Sequence, residues 1–214
     1  MSSRPSQRPN NVAYYWRNRE MEIARVRIRQ QGTVEMLREL RHVPCADCGR
    51  QFQPHQMDFD HRDPATKSFN VMTGRAMLMA TSRLMAEVAK CDVVCANCHR
   101  ARTQVQHAAR LAARTTFGKS KDIEGARARW RSHAAVLNEL RNVACADCGQ
   151  HFPPYAMEFD HRDANSKRTR VTALVGRAGI ASILAEAAKC DIVCTNCHRA
   201  RTYDRRVQRF DERE

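Results

Sequence analysis

Apolar positions along this chain fall into short separated runs, and their spacing changes from run to run. From Asn10 to Gln31 the chain reads NNVAYYWRNREMEIARVRIRQQ. Ile23 and Val26 recur at i+3 and Ala24 and Ile28 at i+4, which predicts a basic helix. Asn10 or Asn11 would cap its start, and Gly32 would interrupt it. Thr33 to Leu40, TVEMLREL, then predicts a short second helix with Thr33 as its cap. In QFQPHQMDFDH, Phe52, Met57 and Phe59 alternate with polar residues, the pattern of a strand or hairpin. Asp63 to Phe69 reads as a loop broken by Pro64. Met77 to Ala89 reads as a helix turning Leu78, Met85 and Val88 to a core. Val93 and Val94 make a very short strand or turn, and a helix rich in Ala and Arg runs on from His99.

The pattern then starts again. GARARWRSHAAVLNELRNVACADCG, from Gly125, mirrors the first helix and the cysteine pair after it. Cys45–Asp63 and Cys145–Asp163 share 13 of 19 positions, and Ala86–Thr103 and Ala185–Thr202 share 15 of 18. The offset is 100 residues in the first block (145 − 45) and 99 in the second (194 − 95). The chain is therefore an internal duplication. Its divisions read as a basic N-terminal arm and helix over 1–31, a first module over 32–117, a linker over 118–121 and a second module over 122–214. Met1 to Asn10, rich in Ser, Pro and Arg, is expected to be a disordered arm.

Each module is small, so it buries a low fraction of its surface and needs a staple. Ten cysteines are available for that. The start, MSSRPSQRPN, lacks the apolar segment of a secretory signal, and no apolar run is long enough to cross a membrane. The expected location is the cytoplasm, of a bacterium or a phage-infected host, where paired cysteines favour metal over disulfide. The net charge is +14, and Arg far outnumbers Lys. That balance points to a polyanionic partner, with nucleic acid the common one and Arg the residue suited to phosphate.

The cysteines pair in register. Cys45 and Cys48 with Cys95 and Cys98, and Cys145 and Cys148 with Cys194 and Cys197, each form two close CxxC pairs across a long loop. That arrangement suits tetrahedral zinc, one ion per module. Gly49, just after the first pair, would supply the left-handed turn that aims both sulfurs inward. Cys91 and Cys190 are left over and read as small buried residues.

Between the cysteine pairs lies FDHRD, at Phe59–Asp63 and again at Phe159–Asp163. Asp60 or Asp160 would hold a hard cation through oxygen, and His61 or His161 could take a proton near neutral pH. Adjacent residues of an extended chain face opposite ways, so a bend is expected here. His99 and His198, each directly after the second cysteine pair, could complete the cation site. The bland alternative is a capping Asp beside a structural His.

CADCG, FDHRD and CANCHR in the first copy, and CADCG, FDHRD and CTNCHR in the second, resemble the zinc-bound HNH endonucleases of the ββα-metal fold. The resemblance spans roughly Leu37–Arg110 and Leu137–Arg209. It implies an α+β fold of two tandem zinc-stapled HNH modules with basic flanking helices. It also implies a metal-dependent endonuclease that hydrolyses phosphodiester bonds, with double-stranded DNA as the expected partner. Asp60 with His99, and Asp160 with His198, would bind a catalytic Mg2+ or Mn2+. His61 and His161 would be the general bases. The family's middle Asn would be Asn70, with Asn97 and its repeat Asn196 as the rival. Arg170 stands opposite Asn70 and Ala164 opposite Pro64, which favours the first site over the second. Arg62, Arg100, Arg102, Arg162, Arg199 and Arg201 would grip flanking phosphates. Two other functions fit the same motifs. One is a nucleic-acid-binding protein that kept the zinc fold and lost catalysis, and the other is a zinc-dependent scaffold in a phage or mobile-element assembly.

Overall fold

A computed structural model of the chain describes residues 8–76, 79–112 and 121–211. The element order is α1 (Arg8–Arg17), α2 (Arg19–Glu39), β1 (Met57–His61), α3 (Val71–Ala76), α4 (Thr81–Val88), β2 (Cys91–Cys95) and α5 (Ala96–Ala112), then α6 (Lys121–Arg141), β3 (Met157–His161), α7 (Ile180–Ala187), β4 (Cys190–Cys194) and α8 (Thr195–Asp211). The fold is thus mixed, with helices packed about two small sheets. Strand β1 pairs with β2, and β3 with β4. The β3–β4 pair is antiparallel, with Met157 opposite Cys194 and His161 opposite Cys190. The sheet register therefore brings the second cysteine pair alongside the strand that carries the dyad.

Packing divides the chain into two compact units that do not follow the repeat boundary. One comprises 1–44 with 59–93, the other 45–58 with 94–214. In the first unit the core is Leu37, Val71, Leu84 and Cys91, flanked by Phe59, Phe69 and Val88. In the second, Leu137, Val171, Ile183, Ala187 and Cys190 form the matching core under Phe159. A further cluster there joins Met157 and Val193 to the cysteine site.

Several sequence expectations are corrected. The N-terminal helix is already running at Arg8, so neither Asn10 nor Asn11 caps it. The chain breaks instead at Asn18, whose side-chain amide donates to the Tyr14 carbonyl at 2.9 Å. Gly32 does not interrupt the next helix, since α2 runs through it. Thr33 is not a cap, because its hydroxyl donates to the Arg29 carbonyl within that helix. The predicted apolar stripe on α2 stays largely in solvent, with Ile28 69% exposed, and Leu37 is the residue that buries. On α4, Val88 packs against the core as expected, but Leu84 rather than Met85 is the residue it buries fully. The disordered arm, Leu78 and the linker expected at 118–121 fall wholly or mainly outside the described residues, with α6 already under way at Lys121.

Candidate functional site: two four-cysteine clusters and a basic cleft

Each cysteine cluster is assembled by a tight turn and a strand-to-helix junction. Gly49 and Gly149 have φ of 68° and 67°, the left-handed conformation expected for the residue after the first pair. Their N–H groups return to the carbonyls of Cys45 and Cys145 at 2.9 Å. Cys95 and Cys194 end β2 and β4, and Cys98 and Cys197 lie in the first turn of α5 and α8. In each cluster the four sulfur atoms lie within 4.8 Å of one another. Four thiols so grouped are a donor set that could hold a tetrahedral zinc ion. Burial would raise the Cys145 thiol, but N–H donors from Cys148, Cys194 and Asp147 outweigh it and bring it to about 7. Burial and neighbouring sulfurs push Cys197 well above the usual thiol range. A cation is what would allow all four to ionise together. Cys91 and Cys190 take no part. Burial raises both to about 11, and they sit in the cores as expected.

The dyad shows no bend. Asp160 and His161 occupy consecutive positions of β3 and make separate sets of bonds. His161 Nε2 lies 2.9 Å from Glu186 Oε1, and both side chains are buried. The Lys189 ammonium, against some opposition from burial, holds Glu186 down at about 2, helped by His161 and the N–H groups of Arg168 and Thr169. An ionised carboxylate only accepts, so Nε2 carries the proton and Nδ1 is left as the ring's acceptor. In the first copy His61 Nε2 meets Glu87 Oε1 at 2.8 Å in the same way. Lys90, Ser68 N and Phe69 N complete the cage around Glu87.

These two glutamates hold the histidine rings, and neither candidate for the family's middle Asn reaches them. Asn70 instead accepts from the N–H groups of Met72 and Thr73, capping the start of α3. Its counterpart Arg170 precedes a single 3-10 turn, Val171–Leu174, so the Asn70/Arg170 difference follows local helix content. Asn97 and Asn196 bond to each other's backbone. Asp163 Oδ1 accepts from Asn165 N at 2.8 Å, as Asp63 Oδ1 does from Ala65 N, but Pro64–Thr66 closes into a 3-10 turn that has no counterpart element at Ala164. Glu87 and Glu186 were missed, although one signal was available: an identical acid in both copies, three residues after an apolar position that packs inward.

On β3's other set of bonds, Asp160 meets α8. Its carboxylate accepts both terminal nitrogens of Arg205, at 2.8 and 2.7 Å, and Arg201 Nη1 at 2.9 Å. His198 Nε2 stands 3.4 Å from Asp160 Oδ1. Burial would raise the Asp160 carboxyl, but these partners hold it far below the usual range. Asp160 also lies opposite Asp191 across the sheet, a repulsive pairing that Arg201 bridges at 2.9 Å to each. The remaining nitrogen of His198 faces Glu158, which sequence reasoning missed as well. Held by Asp160 first and Glu158 second, against burial, His198 is raised to about 9. Between two carboxylates it is an imidazolium, and it must shed a proton to act as a metal ligand.

Asp160, His161 and His198 nonetheless all line one cleft of about 650 Å³. Arg100, Arg141, Lys167, Arg170, Arg205 and Arg209 line it too. Arg141 lies over the Phe159 ring at 4.8 Å, and burial lowers its pKa. By contrast, the six arginines expected to grip phosphates are engaged internally. Arg62 and Arg162 reach strand and helix-end carbonyls, Arg102 and Arg201 the acids Asp47 and Asp147 inside the first cysteine pair, and Arg100 and Arg199 acids of the opposite copy. In the first copy, His99 Nδ1 bonds Asp58 Oδ2 at 2.8 Å, as His198 does Glu158. Asp60 and His61 belong to the other unit.

One consequence concerns acid. The folded Glu186 carboxyl lies near 2 against an ordinary 4.5, so its contribution is fully present above about 4.5 and is lost as pH falls towards 2. In urea unfolding, wild type is expected to exceed Glu186→Gln in stability at pH 7. The gap should narrow as the pH is lowered from about 4.5. A gap that is constant down to pH 3 would contradict the buried carboxylate–imidazole pair.

No protein-family model, curated protein or solved structure matches the chain. Among the described residues, no helix is long and apolar enough to cross a membrane.

Proposed function

We propose that the protein is a metal-dependent endonuclease of the HNH type, with one zinc-stapled module per copy, acting on double-stranded DNA. The observation that carries this reading is the cleft of the second copy. It brings Asp160, His161 and His198 together under a lining of basic side chains. Asp160 and His198 offer an oxygen and a nitrogen 3.4 Å apart, a donor set that would accept Mg2+ or Mn2+. Such an ion, when bound, supplies charge neutralisation at the scissile phosphate and the departing oxygen. His161, with its Nε2–H fixed on Glu186, accepts a proton from water at Nδ1. Glu186 then stabilises the imidazolium. Arg170 and Lys167 neutralise the phosphates on either side of the cut. The four-cysteine clusters would hold zinc and keep β4 and α8 in register with β3.

A second reading rests on Asp160. Two guanidinium groups already occupy its carboxylate, and a site that supplies its own cations can bind DNA without cutting it. Incubating end-labelled duplex with wild type and Mg2+ or Mn2+ separates the two. The nuclease reading expects 5′-phosphate and 3′-hydroxyl ends that disappear with EDTA. Intact duplex, held with strongly salt-dependent affinity, would establish the binding reading instead.

A further inference from the structure

The two copies meet through the starts of α5 and α8. Asn97 N donates to Asn196 Oδ1 at 3.2 Å, and Asn196 N donates to Asn97 Oδ1 at 3.1 Å. Each side chain thus satisfies one of the orphan donors at the other copy's helix start. Both asparagines are buried. The neighbouring arginines cross over this junction. From the second copy, Arg199 places Nη1 and Nη2 on Asp58 Oδ1 and Oδ2 at 2.9 and 2.7 Å. Asp58 Oδ2 in turn holds His99 Nδ1 at 2.8 Å. From the first copy, Arg100 bonds Glu158, and the other oxygen of Glu158 bonds His198 Nδ1.

We propose that Arg199 is a positioning residue for His99 and Arg100 for His198, so that each copy's candidate cation-binding histidine is aimed by an arginine of the other copy. The physical argument is one of freedom. A carboxylate that orients an imidazole can rotate unless it is also held elsewhere; Arg199 holds Asp58 with both terminal nitrogens, and Arg100 holds the other oxygen of Glu158 with one. Asp58 and Glu158 stand two residues before the dyad aspartates, on the same side of the strand, so the acid is built into each repeat. The arginine that fixes it comes from the partner repeat. The orientation of each histidine then depends on the other copy, which gives the duplication a chemical consequence beyond added length. The proposal concerns the cation site of the nuclease reading and rests on it for its effect on activity. The crossed geometry can be tested without activity.

The test uses the full zinc-loaded chain with Arg100→Ala, Arg199→Ala and, in case either destabilises the fold, Arg100→Gln and Arg199→Gln. Cleavage is measured at subsaturating Mn2+ in two backgrounds. His161→Ala leaves the first copy to cut, and His61→Ala leaves the second. Loss of a group that orients a ligand costs about 10- to 100-fold. The expected pattern is crossed: Arg199 variants slow the first copy by that factor and Arg100 variants the second, with the same-copy effects much smaller. Equal slowing of both copies, or slowing only of the variant's own copy, would overturn the proposal. A second readout is long-range 15N–1H NMR of the histidine rings at fixed pH. The Nδ1 signal of His99 should change with Arg199→Gln and that of His198 with Arg100→Gln. Rings that respond only to their own copy's arginine would overturn the proposal even if wild type does not cut DNA, an outcome that would count separately against the nuclease reading.

Discussion

Stripping metal from the four-cysteine clusters is expected to unfold the second unit. Cys145 and Cys148 sit in a turn, Cys194 ends β4 and Cys197 opens α8. One ion would therefore tie together three pieces of chain, the first of them separated from the others by 45 residues (194 − 148 − 1) and otherwise joined to β4 by the Ala146 N to Ile192 O bond. The apolar core beside the cluster is modest, with Met157 and Val193 as its main members. Structural zinc contributes about 10–16 kcal/mol at neutral pH, as large as the whole stability of a typical domain at about 5–15 kcal/mol. The native chain should carry two zinc equivalents. Cys194→Ser should carry one and lose the helical signal of the second unit on mild heating. Metal analysis with far-UV circular dichroism checks both. A chelated chain that melts like the native one would remove the clusters from the account.

His161→Ala is expected to reduce cleavage by the second copy by about 10²- to 10⁴-fold, the usual contribution of a positioned general base. The variant should still fold, because Glu186 keeps Lys189, Arg168 N and Thr169 N as partners. It should also still bind DNA, since the basic lining of the cleft is untouched. Glu186→Gln should lose less, because an amide oxygen still accepts from Nε2 but no longer stabilises a charged ring. Measured at saturating Mn2+, the first change should fall on the chemical step and leave binding alone. A His161→Ala chain that cuts like wild type in the His61→Ala background would show that this imidazole is not the base.

Local chemistry is what the sequence displayed well. The glycine turns after CADCG, the strands ending in FDH and CDVVC, and both four-cysteine groups come from residues close together or repeated in register. Features that depend on packing were harder to read. Leu84 and Met85 are adjacent apolar residues, and only the core around Phe59 and Phe69 decides which turns inward. Gly32 looked like a helix stop, yet α2 continues through it, because one glycine costs only about 1 kcal/mol within a long helix. The residues that orient the histidines were the largest omission. Glu87 and Glu186 look like surface acids in a charged chain, and only their cages of N–H groups and a lysine explain how they remain ionised when buried. The second copy had looked the weaker because of Arg170. In the structure Arg170 lines the cleft, and the more telling difference is Arg205, which grips Asp160 where the first copy has Gln106 (205 − 99).

The most direct measurement is conversion of supercoiled plasmid by the zinc-loaded chain in Mg2+ or Mn2+, run beside the His61→Ala/His161→Ala double variant at equal DNA occupancy. The account predicts nicked and then linear plasmid from wild type and neither from the double variant. Plasmid left supercoiled by wild type while fully bound, or converted equally by both proteins, would contradict it.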